Sequence, residues 1–261
     1  MTMPYAAWLV SAHALIRGGS WPLLGVLLTL ALWWAAASLL AGSSPLAAQF
    51  SPKQALDAAR ELFVRGEVFE HTFLSLRRVL VGLMLALALG VPLGLLIGAL
   101  PRFRAATTPT FQFLRMISPL SWMPIAVMAL GVGEAPVIFL LACAGVWPIA
   151  LNVAAGVAAI DPAWLSLARS LGANARERIV RVILPATAGH LLTGVRLAIG
   201  LIWIVLVPAE MLGVSAGLGY FILDTRDRMA YGELMATVLL IGACGYTLDA
   251  LARSAHARWS R

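Results

Sequence analysis

Long uncharged runs, separated by short charged stretches, set the pattern of this chain. Trp21 to Ala41 carries no charge and is long enough to cross a bilayer as a helix. Its alanine-rich end resembles a signal-peptide cleavage site, but the run is longer than a typical signal core, so a retained helix is expected. Ser51-Pro52 then opens an amphipathic helix. Ala55, Leu56, Ala59, Leu62 and Phe63 form a stripe opposite Lys53, Asp57, Arg60 and Glu61. It reads as a helix on the outer membrane surface or as a solvated loop helix.

A second span is expected over His71 to Leu100, with Arg77 and Arg78 near its start. Gly90, Gly94 and Gly98 share one face of it, which permits close helix–helix approach or a backbone contact to substrate. Pro101 to Arg104 reads as a basic turn. The third span, about Phe111 to Gly133, is irregular because Pro119 and Pro124 each remove a backbone donor. A fourth runs from Ala135 to Ile160, a fifth from Ala186 to Leu212 and a sixth from Tyr231 to Leu251. Gly213 to Arg228 reads as a glycine-rich loop. The pattern predicts an all-α membrane protein with six transmembrane helices. It divides into an N-terminal segment (1–70), a five-helix core (71–252) and a basic tail (253–261).

Between the fourth and fifth spans lies Asp161 to Pro185, the most charged stretch. Pro162 can start a helix. Trp164, Leu167, Ala168 and Leu171 fall on one helical face. Gly172-Ala173-Asn174 interrupts the pattern, and a second amphipathic piece with Ile179, Val182 and Ile183 leads to Leu184-Pro185. Two short helices meeting at a glycine make a knob that another protein can grip. An ordinary basic loop is the other reading.

Composition agrees with a membrane protein. Of 261 residues, 61% are hydrophobic and 12% charged, about half the charge of a soluble domain. The net charge of +7 points less to nucleic acid than to basic cytoplasmic loops. With the N-terminus inside, Arg17, Arg102, Arg104, Arg115, Arg169, Arg176, Arg178, Arg181, Arg253, Arg258 and Arg261 fall on the cytoplasmic side. Lys53, Arg60, Arg65, Arg77, Arg78, Arg226 and Arg228 fall outside. The imbalance favours cytoplasmic N- and C-termini. Cys143 and Cys244 both lie in apolar runs and suggest no disulfide framework.

Catalytic chemistry is not expected. Lys53 is the only lysine, so no G-K-[ST] phosphate loop exists. The four histidines lack metal-ligand spacing. A substrate path is expected instead along the broken third span and the fifth span. Its candidate polar groups are Ser118, Ser121, Trp122, Asn152 and Thr193. Arg196 is read as the one deep charge, either an electropositive element of the path or half of a structural pair near the cytoplasmic interface. Glu210, at the outer end, carries the same ambiguity. The absence of central carboxylates leans towards an anion.

The Asp161–Pro185 stretch resembles the EAA loop of ABC-importer permeases. Ser166-Leu167-Ala168 stands at the E-A-A position, Gly172 at its glycine, Val182 at its isoleucine and Leu184-Pro185 at its close. Ser166 replaces the family's glutamate. Further resemblance lies in GVPLGLLIGALPRF (Gly90–Phe103), ISPLSWMPIAVM (Ile117–Met128), TGVRLAIGLIW (Thr193–Trp203) and AEMLGVSAGLGYFILD (Ala209–Asp224). These are similar to permeases of the nitrate, sulfonate and taurine importers, most of all the nitrate, cyanate and bicarbonate branch. The resemblance implies a type I permease fold in a bacterial inner membrane. It implies a coupling helix that docks a cytoplasmic ATPase through Ser166, Leu167, Ala168, Leu171, Gly172, Ala173, Leu184 and Pro185. A second permease copy and a periplasmic or lipid-anchored binding protein complete the implied assembly. ATP and Mg are expected on the ATPase, and no cofactor in this chain. The alternatives are a self-contained secondary transporter, which calls for more ion-coupling residues inside the spans, an ABC permease for another small organic solute, and a non-transporting membrane scaffold.

Overall fold

The computed structural model describes residues 20–42 and 49–259. All of their regular structure is helical. Helix α1 is Ser20–Ala41 and α2 is Pro52–Arg65. Helix α3, Glu67–Ala99, is followed by α4, Pro101–Met116. A 3₁₀ turn at Pro119–Trp122 leads to α5, Met123–Leu130. Then come α6 (Glu134–Ala158), α7 (Pro162–Ser170) and α8 (Ala175–Gly213). Helices α9 (Leu218–Asp227) and α10 (Tyr231–Trp259) close the chain's description. Among the described residues four helices are long and apolar enough to cross a membrane, or five if the bent pair α4–α5 is one span.

Helix α6 is the axis of the bundle. More than half of its most apolar window is buried, against 28% for α3 and α8. Small residues let its neighbours approach closely. A side chain at Gly94 of α3 would meet the Ala150 carbonyl of α6 at 2.5 Å. On the other side, one at Gly194 of α8 would meet the Pro148 carbonyl at 3.0 Å. Gly90 and Gly98 also press on α6, against Ile149 and Val157. The four-residue glycine repeat is therefore a packing seam, because backbone contact replaces side-chain bulk where no water drives association. Val79, Leu140, Leu141, Ile149, Ile202 and Leu206 form the core between the three helices.

Several expected boundaries move. The third span begins at Pro101, not near Phe111. Pro101 starts a helix, where its missing N–H is no loss, so the expected basic turn is the first turn of α4. The chain then bends by 88° between α4 and the Pro119–Leu130 segment. Pro119 disfavours helical backbone at Ser118, and Pro124 lies in the first turn of α5.

The second piece of the charged stretch does not end at Leu184-Pro185. It runs on as α8 through a π-helical turn at Ile179–Ile183, where the Leu184 N–H reaches the Ile179 carbonyl. Pro185 cannot donate to the preceding turn, and the helix widens rather than stopping. The glycine-rich loop also shrinks. Gly217, at φ +119°, caps α9, whose Leu218, Phe221 and Thr225 are buried along one face.

Helix α2 is tied to protein. Ser51 accepts from the Gln54 N–H, and Gly66 closes the helix in the left-handed region at φ +79°. Ala55 and Leu62 are fully covered, and Leu62 packs with Val68, Phe221 and Ala236. The stripe's outer members, Leu56 and Phe63, stay exposed. Helix α1 is apolar all round and its Leu23–Leu39 stretch is largely exposed, the surface of a lipid-facing helix. Its Trp33 Nε1 donates to the Phe50 carbonyl at 3.0 Å.

Candidate functional site

Three places concentrate polar chemistry: a buried ion cluster at one end of the bundle, a capped knob at the other, and a cavity between them. Helix α6 links the ends and is roughly 37 Å long at 1.5 Å per residue, enough to cross the hydrocarbon core.

At the first end, Glu210 of α8 is fully buried and Arg78 of α3 is 2% exposed. Arg78 Nη1 donates to Glu210 Oε1 and to the Ala216 carbonyl, both at 2.7 Å. Its Nη2 donates to Glu134 Oε1 at 3.2 Å, and Arg77 also pairs with Glu134. Its Nε has no partner. The second Glu210 oxygen accepts from the Gly219 N–H at 2.9 Å. Ser75 Oγ donates to Glu210 and accepts from the Leu218 N–H. His71 Nδ1 accepts from the Gly217 N–H at 3.0 Å while its ring stacks on Phe221. A Cβ at Gly217 would strike Arg78 and Glu210 at 2.5 Å. Glycine there is required both by space and by its positive φ. The cluster fastens the α8–α9 connection to α3 and α6.

This arrangement corrects the expectation that Arg196 is the one deep charge. Its side chain is 43% exposed and its Nε lies 3.3 Å from Asp249 of α10. Asp249 also pairs with Arg253. The structural-pair reading of Arg196 fits this geometry. Glu210 is enclosed in the cluster and faces no cavity described here. A signal for Arg78 was present: two adjacent arginines at the mouth of an apolar span need acidic partners, and Glu134 and Glu210 are the acids nearest the ends of the neighbouring spans.

At the other end, Asp161 caps α7 by accepting from the Ala163 N–H at 2.8 Å. The helix stops in a Schellman arrangement. Gly172, at φ +78°, donates to the Arg169 carbonyl, and Ala173 donates to the Ala168 carbonyl. Asn174 then starts α8 in a capping box with Glu177, with both reciprocal bonds at 2.9 Å. The turn is thus fixed at each residue. Ala168 is buried, but Trp164, Leu167 and Leu171 are 64%, 53% and 78% exposed. Ser166, Gly172 and Pro185 are exposed, while Ala173 and Leu184 are half-buried.

The cavity measures about 750 Å³. Trp122 and Asn152 line it. Asn152 Nδ2 donates to the Pro148 carbonyl at 2.8 Å. Ser118 and Ser121 sit exposed at the break in the third span, outside the lining. The Thr193 hydroxyl turns back to the Gly189 carbonyl. Arg115 and Trp147 do line the cavity. Arg115 is exposed in the last turn of α4 and shares the cavity lining with Trp147, near the midpoint of α6. Its signal in the sequence was isolation: it is the only charge between Arg104 and Glu134.

The described residues form a multi-pass bundle of long apolar helices with a bent span and a capped, outward-facing knob. The family described as the binding-protein-dependent transport system inner membrane component matches residues 90–261, and the chain belongs to that family. It is 38% identical over 184 residues to the bicarbonate transport system permease protein CmpB of Synechococcus elongatus, covering 70% of this chain and 66% of that one. It is 35% identical over 204 residues to the nitrate import permease protein NrtB of Leptolyngbya laminosa, covering 76% and 73%. A chain of the MetNI methionine ABC transporter, solved in inward-facing conformations, has a similar fold. Its TM-score is 0.62 at 18% identity, over 77% of this chain and 97% of that one.

Proposed function

We infer that this chain is the transmembrane subunit of an ATP-driven importer for a small anion of the bicarbonate, nitrate, cyanate, sulfonate or taurine kind. The carrying observation is α7. Its two ends are locked by caps, yet Trp164, Leu167 and Leu171 face outward with nothing over them. A rigid apolar edge among arginines suits a docking helix for an ATPase subunit, which binds ATP and Mg and hydrolyses the ATP. The membrane assembly pairs this chain with a second permease copy, identical or not, and receives solute from a periplasmic or lipid-anchored binding protein. ATPase closure moves α7 and, through the continuous α8, alternates access to the cavity. The names of CmpB and NrtB support the anion class. Six spans with both termini in the cytoplasm put α7 on the ATPase side, with α1 as the span beyond the five described above.

The test is reconstitution with the ATPase and binding protein. Uptake of nitrate, bicarbonate or a sulfonate is expected, dependent on ATP, and a cationic amine is not carried. Uptake of the amine alone overturns the anion reading. In whole cells, Met229→Cys is expected to react with an impermeant thiol reagent added outside and Ser254→Cys is not. The reverse pattern would invert the topology and remove α7 from the ATPase side.

A further inference from the structure

We propose that Arg115 is the charged centre of a monoanion-binding site at the break of the α4–α5 span, a proposal that rests on the anion reading above. Arg115 lines both the 750 Å³ cavity and an adjoining one of about 110 Å³. Trp147 and Leu151 are shared by the two as well. Arg115 is the only charged residue lining either of them. It has no ion pair or hydrogen bond among the described residues. Arg77 and Arg78, by contrast, are answered by Glu134 and Glu210, and Arg196 by Asp249. Arg115 is exposed, and an unpaired cation on a membrane-spanning helix needs water or an anion beside it.

Its position is built. Phe111, one turn earlier on α4, packs on Trp147 of α6 with ring centroids 5.4 Å apart. That contact brings the turn before Arg115 to the midpoint of α6. The helix ends at Met116, so Arg115 lies one residue before the bend. Trp122, Trp147 and Asn152 add neutral donors to a wall that is otherwise apolar. No carboxylate lines the space, so nothing competes for the arginine. One positive charge in apolar surroundings balances one negative charge and leaves a dianion undercompensated. The planar guanidinium fork can grip two oxygens of a small oxyanion. The site therefore takes singly charged oxyanions and discriminates against sulfate or hydrogen phosphate. Neutral donors around a single cation also keep binding weak enough for release.

Two measurements on the full complex test this. In reconstituted uptake, with nitrate and bicarbonate as probes, Arg115→Gln is expected to lower transport at least about tenfold, the range of one charged hydrogen-bond partner lost. Arg115→Lys keeps part of it, since the charge remains without the fork. Co-purification with the ATPase confirms that each variant assembles. The second measurement uses Cys143, which lines the same cavity, in a Cys244→Ser background. A sulfonate-bearing methanethiosulfonate is expected to modify Cys143 about tenfold faster than a trimethylammonium-bearing one, and nitrate slows it. Arg115→Gln should remove that preference. Unchanged anion uptake in an assembled Arg115→Gln complex overturns the site while leaving the anion reading intact. A Cys143 that reacts with neither reagent, or shows a preference indifferent to Arg115, overturns the site as well. A wild-type complex that carries only an amine overturns both.

Discussion

The two ends of the bundle both concentrate charge and treat it in different ways. At the Glu210 end every carboxylate oxygen of the buried pair has a donor, and backbone N–H groups of α9 complete the set. At the α7 end Arg169, Arg176 and Arg181 are exposed, Arg178 is half-buried, and an apolar edge is left open. Saturated charge holds a structure together; unsaturated surface is available to something else. The comparison separates residues that hold the bundle together from residues left free on its surface, which are the ones proposed to meet a partner.

The largest effect is expected where saturation is broken. Glu210→Leu leaves the buried Arg78 with only the more distant, half-exposed Glu134 and the Ala216 carbonyl, and losing one member of a buried pair costs up to about 3–5 kcal/mol. Thermal unfolding of the purified protein should show a marked drop. Pairing it with Arg78→Met removes that charge and should recover part of the loss. Recovery stays incomplete because the Gly219 N–H then has no acceptor. A single variant as stable as wild type would mean that the pair is not holding the α8–α9 connection.

A change on the open edge should do the reverse. Leu171→Asp alters a side chain that is 78% exposed, so stability should move by no more than about 0.5 kcal/mol. Capture of the ATPase subunit should fall sharply, since a carboxylate cannot be desolvated against an apolar groove. Trp164→Ala should weaken capture in the same direction. Full capture by both variants would remove the apolar edge from the docking surface.

The two ends were also unequally legible in the sequence. The knob is local: a helix start at Asp161-Pro162, the Gly172 break and the Asn174 restart all lie within fifteen residues, and capping chemistry is written in neighbouring positions. The cluster at Glu210 is assembled from α3, α6, α8 and α9, whose residues are more than 130 positions apart in some pairs. No periodicity reports such a meeting. Arg196 was singled out because it stands alone in its run, yet Asp249 from another helix answers it. Arg115 falls inside the expected third span, Phe111 to Gly133, but the charge count places it on the cytoplasmic side, and no periodicity shows that a cavity adjoins it. The glycine seam was readable because the spacing of Gly90, Gly94 and Gly98 needs only one helix to be seen. Its partner, α6, had to come from the structure.

The smallest effect concerns the joint between α7 and α8. Asn174 is an N-cap with a complete capping box, and its side chain touches neither the core nor the cavity. Asn174→Ala removes the acceptor for the Glu177 N–H and frees the Glu177 side chain from the Asn174 N–H. The cost is about 1 kcal/mol. Global stability should register little of this, because the joint lies at the exposed end of a long helix. The loss should instead appear locally, as faster amide hydrogen exchange at Ala175 to Arg178. If the knob must be rigid to pass movement from the ATPase into α8, then ATP turnover should continue while less solute moves per ATP. Asn174→Asp keeps the acceptor and should restore the ratio. Equal exchange rates in Asn174→Ala and wild type would show that the Schellman turn at Gly172 alone holds the joint, and the stiffness of the coupling segment would then reside in α7 and its glycine.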